Sequence, residues 1–213
     1  MEERTIKFRS KETNKFQLHA IPGHFATSHS HINYYIDVTS IKTRASEAKE
    51  AARIFYSYAP KHQLTDTIVC MDGTEVIGTF LSQEIESYGL LSNNSHDTIY
   101  VVSPEVNSSN QIIFRDNNKK CIEGKVVVLL LATATTGETI RRALECIRYY
   151  GGHVAAIAAI FSTIDEIEGI HIDRLFGPEE VMNYEAYNSY DCPYCKQGQR
   201  IEAIVNGFGY SVL

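Results

Sequence analysis

Apolar and polar residues alternate along the chain in blocks that predict strands and helices in turn. Near-continuous apolar runs at Val126–Leu131 and His153–Phe161 are typical of parallel strands that are covered on both faces. Apolar residues at helical spacing predict amphipathic helices over Ala45–Tyr58, Glu75–Tyr88 and Ile140–Tyr150. We therefore expect strands and helices to alternate through most of the chain.

Shorter extended runs and helix-ending residues complete this pattern. Further strands are predicted at Thr67–Met71, Thr98–Val102, Gln111–Phe114 and Gly169–Phe176, the last at a sheet edge. Pro60, Gly89 and Gly151-Gly152 are the expected helix ends, since proline interrupts a helix and glycine accepts the left-handed turn that follows one. The alternation favours an α/β fold with a doubly wound, mostly parallel sheet.

The alternation starts and stops inside the chain and so divides it into three parts. Residues 1–44 are predicted to form a small N-terminal hood that carries a substrate segment, and residues 45–180 the α/β core. Residues 181–213 form a C-terminal tail of different character, rich in tyrosine and containing a Cys-x-x-Cys pair.

Composition narrows the class of protein without identifying it. The 213 residues suit one sizeable α/β domain, and 44% hydrophobic with 22% charged residues is ordinary for a soluble globular chain. A net charge of −6 without a run of Lys and Arg argues against nucleic acid as a partner, but leaves a small anionic ligand open. No apolar segment suits a leader or a bilayer span, and Cys70, Cys121 and Cys146 are scattered, so we expect a reducing cytoplasm and no membrane.

The stretch that follows the strongest predicted strand has the composition of an anion site. Ala132, Thr133, Ala134, Thr135, Thr136, Gly137 and Thr139 lie between that strand and a helix. Unpaired N–H groups at a helix start, together with threonine hydroxyls, suit a phosphate. The alternative is an ordinary strand-to-helix turn. No Gly-Lys-Ser/Thr follows, which excludes a Walker loop.

Two further segments carry candidate chemistry. Gly23–Asp37 contains three histidines and several hydroxyls, which fit a polar ligand rim or, for His29 and His31 on one strand face, a metal site. A solvated loop is the expectation preferred there. Cys192 and Cys195 offer two of the four ligands of a structural zinc, and a dimer could combine two such pairs. A redox pair or two unconnected thiols are the alternatives.

Several of these residues resemble one known family in the same order along the chain. Thr135-Thr136-Gly137-Glu138-Thr139 after a β-branched and Leu run looks like the signature loop of type I phosphoribosyltransferases, with orotate phosphoribosyltransferases most similar. Asp72-Gly73-Thr74 resembles the family's pyrophosphate-binding loop. Phe114-Arg115 with Lys119 resembles its mobile catalytic loop. The resemblance covers roughly residues 20–177, given boundary errors of a few residues.

The resemblance implies specific roles for these residues. Arg115 and Lys119 would be catalytic contacts to pyrophosphate, which Mg²⁺ accompanies, and Phe25, His31 and Tyr34 would lie in the base-binding segment. The catalytic loop of this family commonly serves a neighbouring subunit, which implies a homodimer. The ligand would be phosphoribosyl pyrophosphate or a nucleoside 5′-phosphate.

The chain departs from the family at the signature itself. Two adjacent acidic residues normally precede the phosphate loop and hold the ribose hydroxyls, and here Leu131 and Ala132 stand at those positions. An active enzyme would need an acid from elsewhere, or metal-bound water, to replace the lost pair and stabilise the cationic sugar. The alternatives are a catalytically inactive module that senses a nucleotide or phosphate, and a purely structural dimer partner.

Overall fold

The structure is a computed structural model that describes residues 2–58, 64–87, 98–107 and 111–213. The helices are α1 Thr39–Thr43, α2 Ala45–Tyr58, α3 Glu75–Ser87, α4 Glu138–Tyr149 and α5 Pro193–Lys196, with 3₁₀ turns at Glu2–Arg4 and Asp116–Cys121. The strands are β1 Ile6–Arg9, β2 Gln17–Ala26, β3 His31–Asp37, β4 Thr67–Cys70, β5 Tyr100–Val102, β6 Glu105–Val106, β7 Ile112–Ile113, β8 Val126–Ala134, β9 His153–Ser162, β10 Glu166–Ile167, β11 Ile170–Phe176, β12 Ala186–Tyr187, β13 Ala203–Asn206 and β14 Gly209–Val212.

The core contains a six-stranded sheet that is mostly parallel, as the alternating pattern predicts. Its strand order is β5-β4-β8-β9-β11-β10, in which only the two-residue β10 pairs antiparallel. The central strand β8 pairs with β4 on one side and β9 on the other. This arrangement explains the uninterrupted apolar run in β8, since neither face of a central parallel strand reaches solvent.

Alternate residues of β8 supply two separate cores, one on each face of the sheet. Val128 and Leu130 pack with α2 and α3, whereas Val127, Leu129 and Leu131 pack with α4. Successive side chains of a strand point to opposite faces, so a single apolar strand serves both helical layers. The sheet is therefore doubly wound.

The N-terminal hood and the C-terminal tail form one sheet together. The antiparallel strands β1, β2 and β3 form its first part. The tail adds β12 antiparallel to β3, and β13 parallel to β2, with β14 antiparallel to β13. Chain segments more than 150 residues apart thus share one hydrogen-bonded layer, whose core includes Phe25, Tyr35 and Val205.

The predicted elements agree with the structure in type, with small differences in extent. Strand β8 runs three residues beyond Leu131, so Ala132 and Ala134 belong to the strand rather than to the following turn. The segment predicted as an edge strand forms β11, which is second from the edge because the short strand β10 pairs with its outer side. The predicted stops at Pro60 and Gly89 lie outside the described residues. Among the described helices, none has the length and apolar character needed to traverse a bilayer.

Candidate functional site

The turn between β8 and α4 lines a cavity of about 170 Å³ at the carboxyl edge of the core sheet. The strand ends at Ala134 and the helix begins at Glu138. Gly137 makes the connection with a φ of +75°, a left-handed conformation that glycine adopts most readily. The amino end of a 12-residue helix therefore faces this cavity.

Six of the seven residues predicted to contact phosphate line the cavity: Thr133, Ala134, Thr135, Thr136, Gly137 and Thr139. Ala132 does not, because it is fully buried in the core beneath. Within the described residues, the hydroxyls of the four threonines make no hydrogen bond to protein. Arg141, one turn into α4, donates from Nη1 to the Thr136 carbonyl oxygen at 3.3 Å.

The opposite wall comes from the hood and the tail. The turn Thr27–Ser30 closes on itself, with the Thr27 Oγ1 accepting from the Ser30 N–H at 2.9 Å. Tyr35, Tyr184 and Asn206 also line this wall. Ser28 and His29 are exposed, as the predicted solvated loop requires. The same prediction is wrong for His24, which is fully buried in β2.

Asp72 lines the same cavity at the end of β4, on a backbone with a φ of +57°. The Ala132 backbone N–H lies close enough to the Asp72 carboxylate to lower its pKa. Burial raises the pKa of Asp72, and the nearby Lys42 ammonium opposes that rise. An acidic group thus reaches the end of β8, where the resemblance leaves only Leu131 and Ala132, both fully buried and apolar.

Lys42 connects two segments of the cavity wall, the turn after β4 and the tail turn at Gly207. Its side chain is buried, and Nζ donates to the carbonyl oxygens of Asp72 at 2.7 Å and Gly207 at 2.6 Å. Burial lowers the pKa of Lys42, whereas neighbouring carboxylates including Asp72 and Glu75 raise it. The tail turn is seated so closely that a Cβ at Gly207 would overlap the Asp72 side chain.

The other two residues of the predicted pyrophosphate loop do not face the cavity. The Thr74 hydroxyl is buried and donates to the Met71 carbonyl oxygen at 2.9 Å. A Cβ built on Gly73 would lie 3.5 Å from Lys42 Nζ and 3.6 Å from the Phe208 ring. The structure therefore covers this loop with the C-terminal hairpin, and Asp72 alone of the three lines the cavity.

Arg115 and Lys119 lie on the surface and do not line the cavity of their own chain. Arg115 makes a bidentate ion pair with Glu105 at 2.6 and 2.7 Å, across the base of the β6–β7 hairpin. Lys119 pairs with Asp116 at 2.7 Å. Both basic side chains are half exposed or more, so neither is locked in place by burial.

The structure separates the three residues predicted for base contact. Phe25 is fully buried in the hood core and meets Tyr35 edge-on, with ring centroids 6.3 Å apart. Tyr34 packs partly buried against the core. His31 faces His24 and the tail cysteines instead. None of the three lines the cavity, where the rings of His29, Tyr35, Phe161 and Tyr184 are found instead.

Cys192 and Cys195 lie beside two histidines of the hood. Their sulfur atoms and one ring nitrogen each of His24 and His31 all fall within 4.8 Å of one another. The predicted pairing of His29 with His31 does not occur, because His29 points to the cavity side of the turn. The Cys-x-x-Cys spacing was a usable signal for this cluster, whereas the contribution of His24 could not be read from the sequence.

Comparison with known proteins supports the fold and not a particular protein. No family model matches the sequence, and no curated protein does. Orotate phosphoribosyltransferase from Aeropyrum pernix matches at a TM-score of 0.53 and 14% identity, over 76% of this chain and 90% of that chain. Adenine phosphoribosyltransferase from Thermoanaerobacter pseudethanolicus matches at 0.51 and 13%, over 83% and 96%.

A third solved structure carries a ligand. Orotate phosphoribosyltransferase from Mycobacterium tuberculosis H37Rv, in complex with inorganic phosphate, matches at a TM-score of 0.51 and 15% identity, over 70% of this chain and 80% of that chain. At such identities the likeness establishes the fold alone. The chain therefore has the α/β fold of the type I phosphoribosyltransferases, as the signature resemblance implied.

Proposed function

We propose that the cavity binds a phosphoribosyl compound, with its 5′-phosphate against the turn between β8 and α4. The observation that carries this proposal is the wall itself, in which four threonines and Gly137 adjoin the amino end of a long helix. Helix-terminal N–H groups and the helix dipole both favour a phosphate. The phosphate complex of a structural neighbour supports the same ligand chemistry.

The reaction we propose is transfer of ribose 5-phosphate from phosphoribosyl pyrophosphate to a base, as in the orotate enzymes. As pyrophosphate leaves, positive charge develops on the sugar, and a carboxylate close to it lowers the barrier. Asp72 is the acidic side chain best placed for this task, since it lines the cavity and lies near the end of β8, where the signature acids are absent. This role requires the ionised form of Asp72, which burial disfavours and the nearby Lys42 ammonium favours.

The proposed substrate brings Mg²⁺ with it, and the cavity has suitable ligands for that ion. Asp72 and Glu138 both line the cavity and carry carboxylate oxygens, the donors that Mg²⁺ prefers. Mg²⁺ would offset the charge of the pyrophosphate. The protein's own part is to hold the 5′-phosphate at one end and to present a carboxylate near the sugar.

The base would lie toward the hood, where aromatic side chains replace the threonines. Tyr35 and Tyr184 supply flat surfaces with hydroxyls, and His29 is exposed at the rim. Burial raises the pKa of Tyr35 to about 12, so its hydroxyl stays protonated and can donate at neutral pH. Arg115 and Lys119 would serve the cavity of a second copy of the chain, which makes a homodimer part of the proposal.

A pyrophosphate-release assay with Mg²⁺, phosphoribosyl pyrophosphate and a panel of pyrimidine and purine bases tests the proposal. We expect one base class to give turnover, and Asp72→Asn to lower it by about 100-fold through loss of the anion. Glu123→Gln is the matched control, because Glu123 is exposed beside the Gly151 turn at the other end of β8. Equal rates in both variants would exclude Asp72 from the reaction, and binding without turnover of any base would favour a sensor.

A further inference from the structure

Four potential metal ligands converge at the junction of the hood and the tail, and none of them lines the ligand cavity. His24 comes from β2 and His31 from β3. Cys192 and Cys195 come from the short turn and helix α5, about 160 residues later in the chain. Such convergence of two imidazoles and two thiols from distant segments is the ligand set of a structural zinc site.

The distances within this cluster fit one bound ion. His24 Nε2 lies 3.1 Å from His31 Nδ1, 3.5 Å from Cys192 Sγ and 3.7 Å from Cys195 Sγ, and His31 Nδ1 lies 3.3 Å from Cys195 Sγ. With zinc–sulfur bonds of about 2.3 Å and zinc–nitrogen bonds of about 2.0–2.1 Å, the edges of a regular tetrahedron are about 3.3–3.8 Å. Three of these four spacings fall in that range, the fourth is slightly shorter, and all four ligand atoms lie within 4.8 Å of one another, so they can surround one tetrahedral ion.

The hydrogen bonding of His24 leaves the correct nitrogen free for the ion. His24 is fully buried, and its Nδ1 lies 3.0 Å from the Gln199 carbonyl oxygen. A carbonyl oxygen only accepts, so the proton resides on Nδ1 and the lone pair on Nε2 faces the cluster. Metal-bound histidines commonly donate their other N–H in this way, which fixes the ring orientation.

The tail is folded so that both sulfurs reach the same point. Cys192 precedes α5, Pro193 occupies its first turn, and the Lys196 N–H donates to the Cys192 carbonyl oxygen at 3.1 Å. The Tyr194 ring stacks on His24 with centroids 5.4 Å apart and an interplanar angle of 28°. The turn is thus packed against the hood by contacts that leave both thiols facing the histidines.

We propose that His24, His31, Cys192 and Cys195 bind one zinc ion that fastens the tail to the hood. Four protein ligands complete a tetrahedron and leave no open position, so the ion would be structural rather than catalytic. Two sulfurs with two nitrogens in this geometry select zinc over the oxygen-seeking cations. A redox pair at Cys192 and Cys195 would not require two imidazole nitrogens aimed at the sulfurs.

Zinc bound between the tail and the hood would also stabilise one wall of the ligand cavity. The tail residues Tyr184, Asn206 and Gly207 line that cavity, and β12 and β13 pair with the hood on either side of the metal cluster. Zinc would therefore hold a cavity wall in place while remaining outside the cavity. Its presence can be measured without any phosphoribosyl ligand, so this proposal and the proposed function fail independently.

Metal analysis of the purified 213-residue chain, with zinc supplied during expression, is the direct test. We expect about one zinc per chain after dialysis, together with release of that zinc when a mercurial titrates the thiols. Replacement by Co²⁺ should give the intense visible bands and thiolate charge-transfer absorption of a tetrahedral site. Zinc well below stoichiometric, or the weak spectrum of six-coordinate Co²⁺, would overturn the proposal.

Substitutions locate the site. Cys195→Ser removes an exposed ligand and should abolish stoichiometric zinc, whereas Cys146→Ser, a thiol change in α4 outside the cluster, should retain it. Equal zinc content in the two variants would place the metal elsewhere. The metal content and Co²⁺ spectrum of the unaltered chain decide the question even if Cys195→Ser does not fold.

Discussion

Substituting Gly137 by alanine should weaken phosphate binding far more than it destabilises the fold. Gly137 has a φ of +75° directly before α4, so the substituted residue must either accept a left-handed backbone or turn the helix start away from the cavity. A left-handed conformation costs a non-glycine residue about 1–2 kcal/mol. The added Cβ would also lie 3.0 Å from Ile167 Cδ1 and 3.1 Å from Ile164 Cδ1.

The expected magnitude follows from these contacts. The two isoleucine methyl groups are side-chain ends and can move by a few tenths of an ångström, so we expect a loss of unfolding free energy of about 1–3 kcal/mol in total. Two N–H donors displaced from a phosphate remove charge-assisted hydrogen bonds worth about 1.5–3 kcal/mol each. Affinity for the phosphate should therefore fall by about 100-fold or more.

Calorimetric titration with ribose 5-phosphate measures this effect, and urea unfolding measures the stability. Gly124→Ala is the matched control, because Gly124 has a φ of +68° and nothing lies within 4 Å of its added Cβ. It carries the same backbone cost at the opposite end of β8. Undiminished affinity in Gly137→Ala would refute the phosphate site, and equal loss in both variants would attribute the effect to general destabilisation.

Two further predictions concern stability. Lys42→Met should lower the free energy of unfolding, measured in urea, by about 3–5 kcal/mol. The reason is that the carbonyl oxygens of Asp72 and Gly207 lose the buried ammonium group that both of them accept from. A loss below about 1 kcal/mol would show that Lys42 does not stabilise this part of the fold. The Arg53 guanidinium lowers the pKa of Glu50 from 4.5 to about 2, so Glu50 contributes stability that is complete above about pH 4.5 and is lost as pH falls toward 2. On acidification the unaltered protein should lose about 2–3 kcal/mol of unfolding free energy that the Glu50→Gln variant does not lose. The same dependence of unfolding free energy on pH in the unaltered protein and the variant would contradict the ion pair.

The core could be predicted from sequence because its signals are local. The apolar run of β8 and the helical spacing of α4 identify a buried strand and an amphipathic helix within 25 residues. The threonine-rich turn between them is equally local, and six of its seven predicted residues line the cavity. Where the strand ends was harder to predict, because Thr133 and Ala134 suit either a strand or a turn.

The hood and the far wall of the cavity could not be predicted in this way. Pairing of β13 with β2 joins residues about 180 positions apart, and no local pattern encodes such a partner. The same long-range pairing brings Asn206 to the cavity and Cys192 to His24. Asp72, which has a φ of +57°, likewise has partners far away in the chain, since Lys42 donates to its carbonyl oxygen and the tail turn at Gly207 packs against its side chain.

Isothermal titration of the unaltered protein with phosphoribosyl pyrophosphate and Mg²⁺, with orotidine 5′-monophosphate run in parallel, tests whether the cavity binds a phosphoribosyl ligand. We expect saturable binding of phosphoribosyl pyrophosphate at about one site per chain, in competition with the nucleotide for the same cavity. Heat from the nucleotide alone would favour a sensing module without transfer chemistry. If neither compound bound, the proposed function would be wrong, because the threonine-lined cavity at the start of α4 would then hold no phosphoribosyl ligand.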